Sequence, residues 1–371
     1  MTATGNDNRA PGRRAVLKGG AALAAAIPVG ALGGQAFAAG QKATQVLDFT
    51  TFADVAKAEQ EGSFVFYCHE NEAGTAAIAE AFHKDFPKIK TSYVRMQTGA
   101  LYAKILAERS AGRYDVDVMQ LSDIQPALDF QKRGGYMHYI STQTDAYKPE
   151  YLSDPAGFFF WTGITFAGIG YNKKRVAEKD APKVWKDLLN PLWRGALSCK
   201  IASSGTQFVE WYELRKLYGD SFWTEFARQR PHAFDSRVQL FDRLAKGDDK
   251  VCACAEYGAY VLYKDKAPDI VWVAPPDGLT GTPLIVGAVE RAPHPECAKL
   301  FVDWAMSLRG QKFYQDNKNL IYGSLRSDAP PMVTGLRLKD FKILTPTGKE
   351  IPDYLASHPT FLKQWNQIIG L

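Results

Sequence analysis

The chain has 371 residues, with 45 Lys and Arg against 40 Asp and Glu, a formal charge of +5. That length exceeds one ordinary domain and suits two. So small a positive excess argues against a nucleic-acid surface, and past the first segment no apolar run approaches the roughly 20 residues of a membrane-spanning helix. Arg9, Arg13, Arg14 and Lys18 form a basic head, the acid-free apolar run Gly19–Leu32 follows, and Ala36-Phe37-Ala38 offers a small-x-small cleavage site. This is the layout of a secretory signal peptide. Arg13-Arg14-Ala15-Val16-Leu17-Lys18 has the form of a twin-arginine export signal. Residues 1–38 are therefore expected to be removed on export to the periplasm. Their net charge of +3 leaves the remaining chain, about 333 residues, near +2.

The rest alternates strand and helix patterns. Ser63–Cys68 is a short run of aromatic and branched residues, a buried strand. Gly74–Phe86 places Ala77, Ile78, Ala81, Phe82 and Phe86 on one helical face. Strands are expected at Ile89–Val94 and Val116–Leu121, and helices at Ala100–Ala111 and Ile124–Arg133, the latter closed by Gly134-Gly135. Such a series implies a parallel sheet flanked by helices. The second half repeats the grammar less cleanly. Strands are read at Phe166–Tyr171, Ala196–Ala202, Val251–Ala255, Ile270–Ala274 and Leu284–Val289. Helices are read at Trp185–Leu189, Gln207–Leu217, Val238–Ala245 and Pro295–Ser307. From Arg326 the chain is Pro-rich and irregular, with a last helix near Thr360–Ile369. The architecture is α/β in two lobes, with ligands expected at the carboxyl ends of the strands. The five cysteines (Cys68, Cys199, Cys252, Cys254 and Cys297) contain no Cys-x-x-Cys pair and read as small buried apolar side chains.

Several fragments in fixed order carry a family resemblance. They are Phe66-Tyr67-Cys68-His69-Glu70, Tyr114-Asp115-Val116-Asp117-Val118 and Gly168-Ile169-Gly170-Tyr171-Asn172. Pro182-Lys183-Val184-Trp185-Lys186-Asp187-Leu188 follows, then Pro191-Leu192-Trp193-Arg194-Gly195. Ala298–Trp304 with Arg309-Gly310-Gln311 comes last. Together they resemble the periplasmic ferric-iron-type solute-binding proteins of ABC importers, the group-1 extracellular solute-binding family with the type II periplasmic binding fold. The resemblance implies two lobes, each a mixed sheet flanked by helices, joined by two crossover hinge strands that close over a ligand. By analogy, lobe 1 holds residues 44–164 and 284–330, lobe 2 holds 165–283, and 331–371 form a C-terminal tail with the last helix. The implied partners are a small solute and an inner-membrane ABC permease with its ATPase. A monomer without nucleic acid or cofactor is expected.

Ser203-Ser204-Gly205-Thr206 opens a helix, where free backbone N–H groups and the helix dipole favour an anion. The family uses the corresponding loop in this way, and Ser204, Gly205 and Thr206 match it. A plain helix cap is the other reading. Arg237, just before a helix, could grip a carboxylate or phosphonate through two parallel hydrogen bonds, where the family's iron binders carry a neutral polar residue. Those binders also place two adjacent tyrosines where this chain has Tyr257-Gly258, with Tyr260 further on. Asn71 takes the place of their first-lobe histidine, and His69 lies two residues early. Ser122, with Asp123 beside it, replaces an expected carboxylate. Trp161 is expected to form an apolar wall near the first hinge. The expected cargo is therefore a small anionic organic solute: a carboxylate, phosphonate or phosphate ester. The alternative is ferric iron held by Tyr257, Tyr260 and His69 with a synergistic anion. A third alternative is an exported cofactor-bearing or hydrolytic enzyme, for which no Gly-x-Ser-x-Gly, His-Glu-x-x-His or Walker motif is present.

Overall fold

The computed structural model describes residues 42–370, so the export leader read at residues 1–38 lies outside the described residues. A hairpin of β1 (Thr44–Val46) and β2 (Phe49–Thr51) leads to α1 (Val55–Glu61), β3 (Ser63–Cys68), α2 (Glu72–Asp85), β4 (Lys90–Arg95), α3 (Thr98–Ser110), β5 (Val118–Leu121) and α4 (Ile124–Lys132). The long strand β6 (Phe160–Asn172) follows, then β7 (Leu197–Lys200), α5 (Gly205–Tyr218), α6 (Ser221–Ala227), β8 (His232–Phe234), α7 (Arg237–Lys246), β9 (Val251–Glu256), α8 (Tyr257–Tyr263) and β10 (Ile270–Val273). The chain ends through β11 (Leu279–Ala288), α9 (Pro295–Met306), α10 (Leu308–Asp316), β12 (Ile343–Leu344) and α11 (Ile351–Ile369).

Ten strands form one sheet with the order β4-β3-β5-β11-β6-β9-β7-β8 along its main path. β4, β3 and β5 are parallel, as are β9, β7 and β8. Between these sets, β11 and β6 run antiparallel to each other over most of their length. β11 pairs antiparallel with β5, and β6 pairs antiparallel with β9. Two parallel βα units are thus joined by two long strands, the layout of a two-lobed type II periplasmic binding fold.

Local chemistry fixes the βα turns. Asn71 caps α2, its Oδ1 accepting the Gly74 N–H at 2.9 Å, and Asp123 caps α4 by accepting from Gln125 at 2.9 Å. The strands bury their apolar faces under the helices. Phe64 and Phe66 of β3 meet Phe82 of α2 and Phe301 of α9, with Phe64 and Phe301 stacked at 4.7 Å between ring centroids. A smaller core joins α7 to β9 through Leu240, Phe241, Leu244, Cys252 and Ala255. All five cysteines are buried and free, as the sequence suggests.

The C-terminal segment departs from the sequence reading. The last helix is expected near Thr360–Ile369, and Pro359 just before it lacks a backbone N–H. Instead α11 runs through Pro359 from Ile351. Its buried face of Tyr354, Phe361 and Trp365 packs on α5 and α6, with Phe208 stacked against Tyr354 at 4.2 Å and Phe361 at 5.0 Å. That aromatic burial outweighs the lost hydrogen bond.

Candidate functional site

The carboxyl ends of the parallel strands open into one cleft of about 1200 Å³. β3 ends at His69-Glu70-Asn71, β4 leads to Gln97-Thr98, and β5 to Ser122-Asp123. β7 leads to Ser203–Thr206, β8 to Asp235–Arg237, and β9 ends on Glu256; all of these segments line the cleft. The middles of the two long strands, at Thr165 and Thr282–Leu284, also line it. This is where a doubly wound sheet places its ligands.

The Ser204 loop has the geometry of an anion cradle. Ser204 caps α5, its hydroxyl accepting the Gln207 N–H at 3.4 Å. The N–H groups of Gly205 and Thr206 have no acceptor among the described residues. Such groups at the start of a fourteen-residue helix carry its partial positive charge. The loop also reaches towards the facing wall. A Cβ placed on Gly205 would lie 4.0 Å from the Ser122 carbonyl oxygen.

Beside the loop sits a buried charge cluster. Lys200, the last residue of β7, places Nζ 2.5 Å from Glu256 Oε1, and Arg237 places Nη1 3.2 Å from Glu256 Oε2. Lys200 and Glu256 are 8% and 5% exposed. Burial pushes the Glu256 carboxyl up, but Lys200 and Arg237 pull it further down, to about 2. Burial opposes the charge on Lys200, and Glu256 more than offsets it, so the ammonium is held above its usual range. The trio keeps one net positive charge.

The opposite wall is built differently. Arg95, at the end of β4, donates through Nε to the Glu70 carbonyl at 2.7 Å; its two terminal nitrogens make no hydrogen bond among the described residues. The Glu70 carboxylate is fully engaged by the Asn71 backbone and side-chain amides, both at 2.9 Å, and by the Tyr322 hydroxyl at 2.6 Å. His69 Nδ1 lies 3.3 Å from the Gln120 carbonyl, and burial holds its pKa down, which favours the neutral ring. Ser122 Oγ pairs with Thr98 Oγ1 at 3.0 Å.

Eight of the residues singled out from the sequence thus meet in the cleft: His69, Asn71, Ser122, Asp123, Ser204, Gly205, Thr206 and Arg237. Three do not. Tyr257 stacks on Phe166 at 5.1 Å and against Trp272 at 4.8 Å, and its hydroxyl donates to Thr334 Oγ1 at 2.8 Å. Tyr260 packs beside it, with ring centroids 5.9 Å apart. Trp161 is buried in β6 against Tyr151. Trp161 and Tyr257 fill the core, and the half-buried Tyr260 packs against it, because their aromatic area is worth more buried than facing water. Of the iron-ligand alternative, His69 is thus among the residues that line the cleft, and Tyr257 and Tyr260 are not. Among the described residues no group of three or more His, Cys, Asp or Glu side chains is placed to hold a metal ion.

The sequence reading passed over Arg95, Lys200 and Glu256. Each is a charged residue closing a strand, and that position is the signal that would have found them. It also passed over Tyr354 and His358 of α11, which line the cleft.

A two-lobed α/β fold with its polar site between the lobes defines a type II periplasmic solute-binding protein. The family model of bacterial extracellular solute-binding proteins matches residues 121–334, and the chain belongs to that family. Its members are solute carriers of the periplasmic ABC-importer type, not enzymes. An uncharacterized protein of Haemophilus influenzae (strain Rd) is 28% identical over 270 residues, which span 69% of this chain and 76% of that one. Among solved structures, the periplasmic binding protein AfuA from Actinobacillus pleuropneumoniae, with exogenous fructose-6-phosphate bound, superposes with a TM-score of 0.68 at 22% identity. That match covers 84% of this chain and 99% of AfuA. Iron-bound HitA from Pseudomonas aeruginosa gives 0.67 at 19% identity, covering 82% and 99%. IdiA (FutA) from Trichodesmium, in complex with iron and citrate, gives 0.66 at 18%, covering 83% and 99%. At these identities the likeness shows the fold. Among the described residues no helix is long and apolar enough to cross a membrane.

Proposed function

We propose that the protein captures a small anionic organic solute, a carboxylate, phosphonate or phosphate ester, and delivers it to an inner-membrane ABC permease. One observation carries this reading. The unpaired Gly205 and Thr206 N–H groups lie in the same cleft as the Lys200–Glu256–Arg237 cluster, whose net charge is positive. The free terminal nitrogens of Arg95 occupy the other wall. Arginine and helix N-termini suit carboxylate and phosphoryl oxygens. We place lobe 1 at residues 44–164 and 284–330 and lobe 2 at 165–283. Closure about β6 and β11 then excludes water and strengthens each polar contact. The buried hydroxyl of Tyr257, held by Thr334, weighs against ferric iron as cargo.

The test is a thermal-shift screen against organic acids, phosphonates, phosphate esters and ferric citrate. A ligand at 100 times its Kd adds about 2.7 kcal/mol of stability. Stabilisation by organic anions that is lost in Arg237→Ala supports the reading. Stabilisation by ferric iron alone, with a tyrosinate colour lost in Tyr257→Phe, overturns it. Turnover of a bound compound would replace it with an enzyme.

A further inference from the structure

After α10 the chain makes a buried turn, Leu320 to Gly323, that has no part in the anion loop or the charge cluster. Ile321 in this turn has a φ of 53°. A β-branched residue in the left-handed region is a costly conformation, kept only where its surroundings over-determine it. Here they do. The Ile321 N–H donates to the Asn317 carbonyl at 3.0 Å, and the Tyr322 N–H to the Tyr314 carbonyl at 3.0 Å. Gly323 and Ile164 of the hinge strand β6 exchange both backbone hydrogen bonds, at 2.8 and 3.0 Å. The Tyr322 ring stacks on Tyr314 at 5.5 Å, and its hydroxyl donates to Glu70 at 2.6 Å. Leu320 lies against α2, where a Cβ on Gly74 would come within 2.9 Å of its Cδ2. The turn is thus a rigid part of lobe 1, tied directly to the hinge.

Lobe 2 meets this turn at Gly258, the second residue of α8. A Cβ on Gly258 would lie 3.6 Å from Ile321 Cβ, 3.6 Å from the Leu320 carbonyl oxygen and 3.8 Å from Arg237 Nη1. One carbon fits there, and the next carbons of a larger side chain do not. Of those three neighbours only the long Arg237 side chain can swing aside. The contact is close to the crossing strands, since Tyr257 stacks on Phe166 of β6 at 5.1 Å. We propose that the Leu320–Ile321 turn is the fulcrum on which lobe 2 rests as the lobes move about β6 and β11, and that the missing side chain at Gly258 sets the angle between them. Glycine permits the close backbone approach, and the strained turn supplies a face that does not yield. This rests on the lobe boundaries and the hinge closure proposed above, and not on the identity of the solute.

The experiment is small-angle X-ray scattering of the ligand-free protein and of Gly258→Ala, Gly258→Val and Gly258→Leu, each checked for cooperative melting. The radius of gyration should match wild type in Gly258→Ala and rise from Gly258→Val to Gly258→Leu, as the side chain pushes the lobes apart. In Gly258→Val combined with Ile321→Gly, which removes the side chain that the valine meets, the radius should return to the wild-type value. An unchanged radius in the folded valine and leucine variants overturns the fulcrum, and so does a double variant that stays expanded. If the larger Gly258 variants do not fold, Ile321→Gly alone decides: a smaller radius supports the fulcrum and an unchanged one overturns it. A thermal-shift screen in which no organic anion binds removes the anion reading and leaves these outcomes as they stand.

Discussion

The indole N–H of Trp365 donates to the carbonyl oxygen of Lys200 at 2.8 Å. The last helix of the chain thus holds the end of the strand that presents the cleft's buried ammonium. Trp365 is itself fully buried, against Trp223, Phe226 and Phe361.

Trp365→Phe keeps most of the packing and leaves the Lys200 carbonyl without its donor. It should cost about 1–2 kcal/mol of stability and weaken anion binding. Trp365→Ala adds a cavity and should cost about 3–5 kcal/mol. Denaturant unfolding and anion titration on the same samples check both. Full affinity in a destabilised Trp365→Phe protein would show that the helix supports the fold without positioning Lys200.

Glu256 is the counter-charge for two cations in a buried place. Glu256→Gln leaves Lys200 and Arg237 unneutralised and should lower stability by about 3 kcal/mol or more. The pH dependence has a definite sign. The folded-state pKa of Glu256 is depressed from 4.5 to about 2. Its contribution is complete above pH 4.5 and disappears as pH falls towards 2. The stability gap between wild type and Glu256→Gln should therefore narrow across that acid window. A gap that stays constant with pH would mean that charge is not its origin.

Glu210 behaves in the opposite sense. It lies fully buried in α5, one turn beyond the anion loop, with Gln207 Nε2 donating to Oε1 at 3.1 Å. Burial outweighs that bond and pushes its carboxyl up to about 8. The folded protein holds this proton more tightly than the unfolded chain, so stability should decline as pH rises from about 4.5 to about 8. Glu210→Gln removes that decline and should be the more stable protein at pH 8.5. Melting curves from pH 5 to 9 decide the matter. Parallel curves for the two proteins would mean that Glu210 is ionised in the fold without cost.

Much of the Ser204 loop and its surroundings is local chemistry. A serine three residues before an amide that needs an acceptor, a glycine and a threonine at the first helical positions, and an arginine after a capping serine are legible from neighbours in the chain. Such caps involve residues only a few positions apart. The βα alternation is legible for the same reason, since periodicity records which face is buried. Lys200, Glu256 and Arg95 belong to three strands widely separated in sequence. Only the order β4-β3-β5-β11-β6-β9-β7-β8 brings their ends to one cleft. The inward turn of Tyr257 was likewise hidden, because a phenol next to a cleft can face water or core. Here the Phe166 and Trp272 rings and the Thr334 hydroxyl decided it. The last helix reads shorter in the sequence than it is, and no local rule shows that Phe208 and Trp211 wait on α5 to bury its aromatic face. Composition, caps and periodicity therefore determined the elements and the anion loop. Long-range packing decided which side chains share the cleft, because that choice depends on neighbours the chain reaches only after folding.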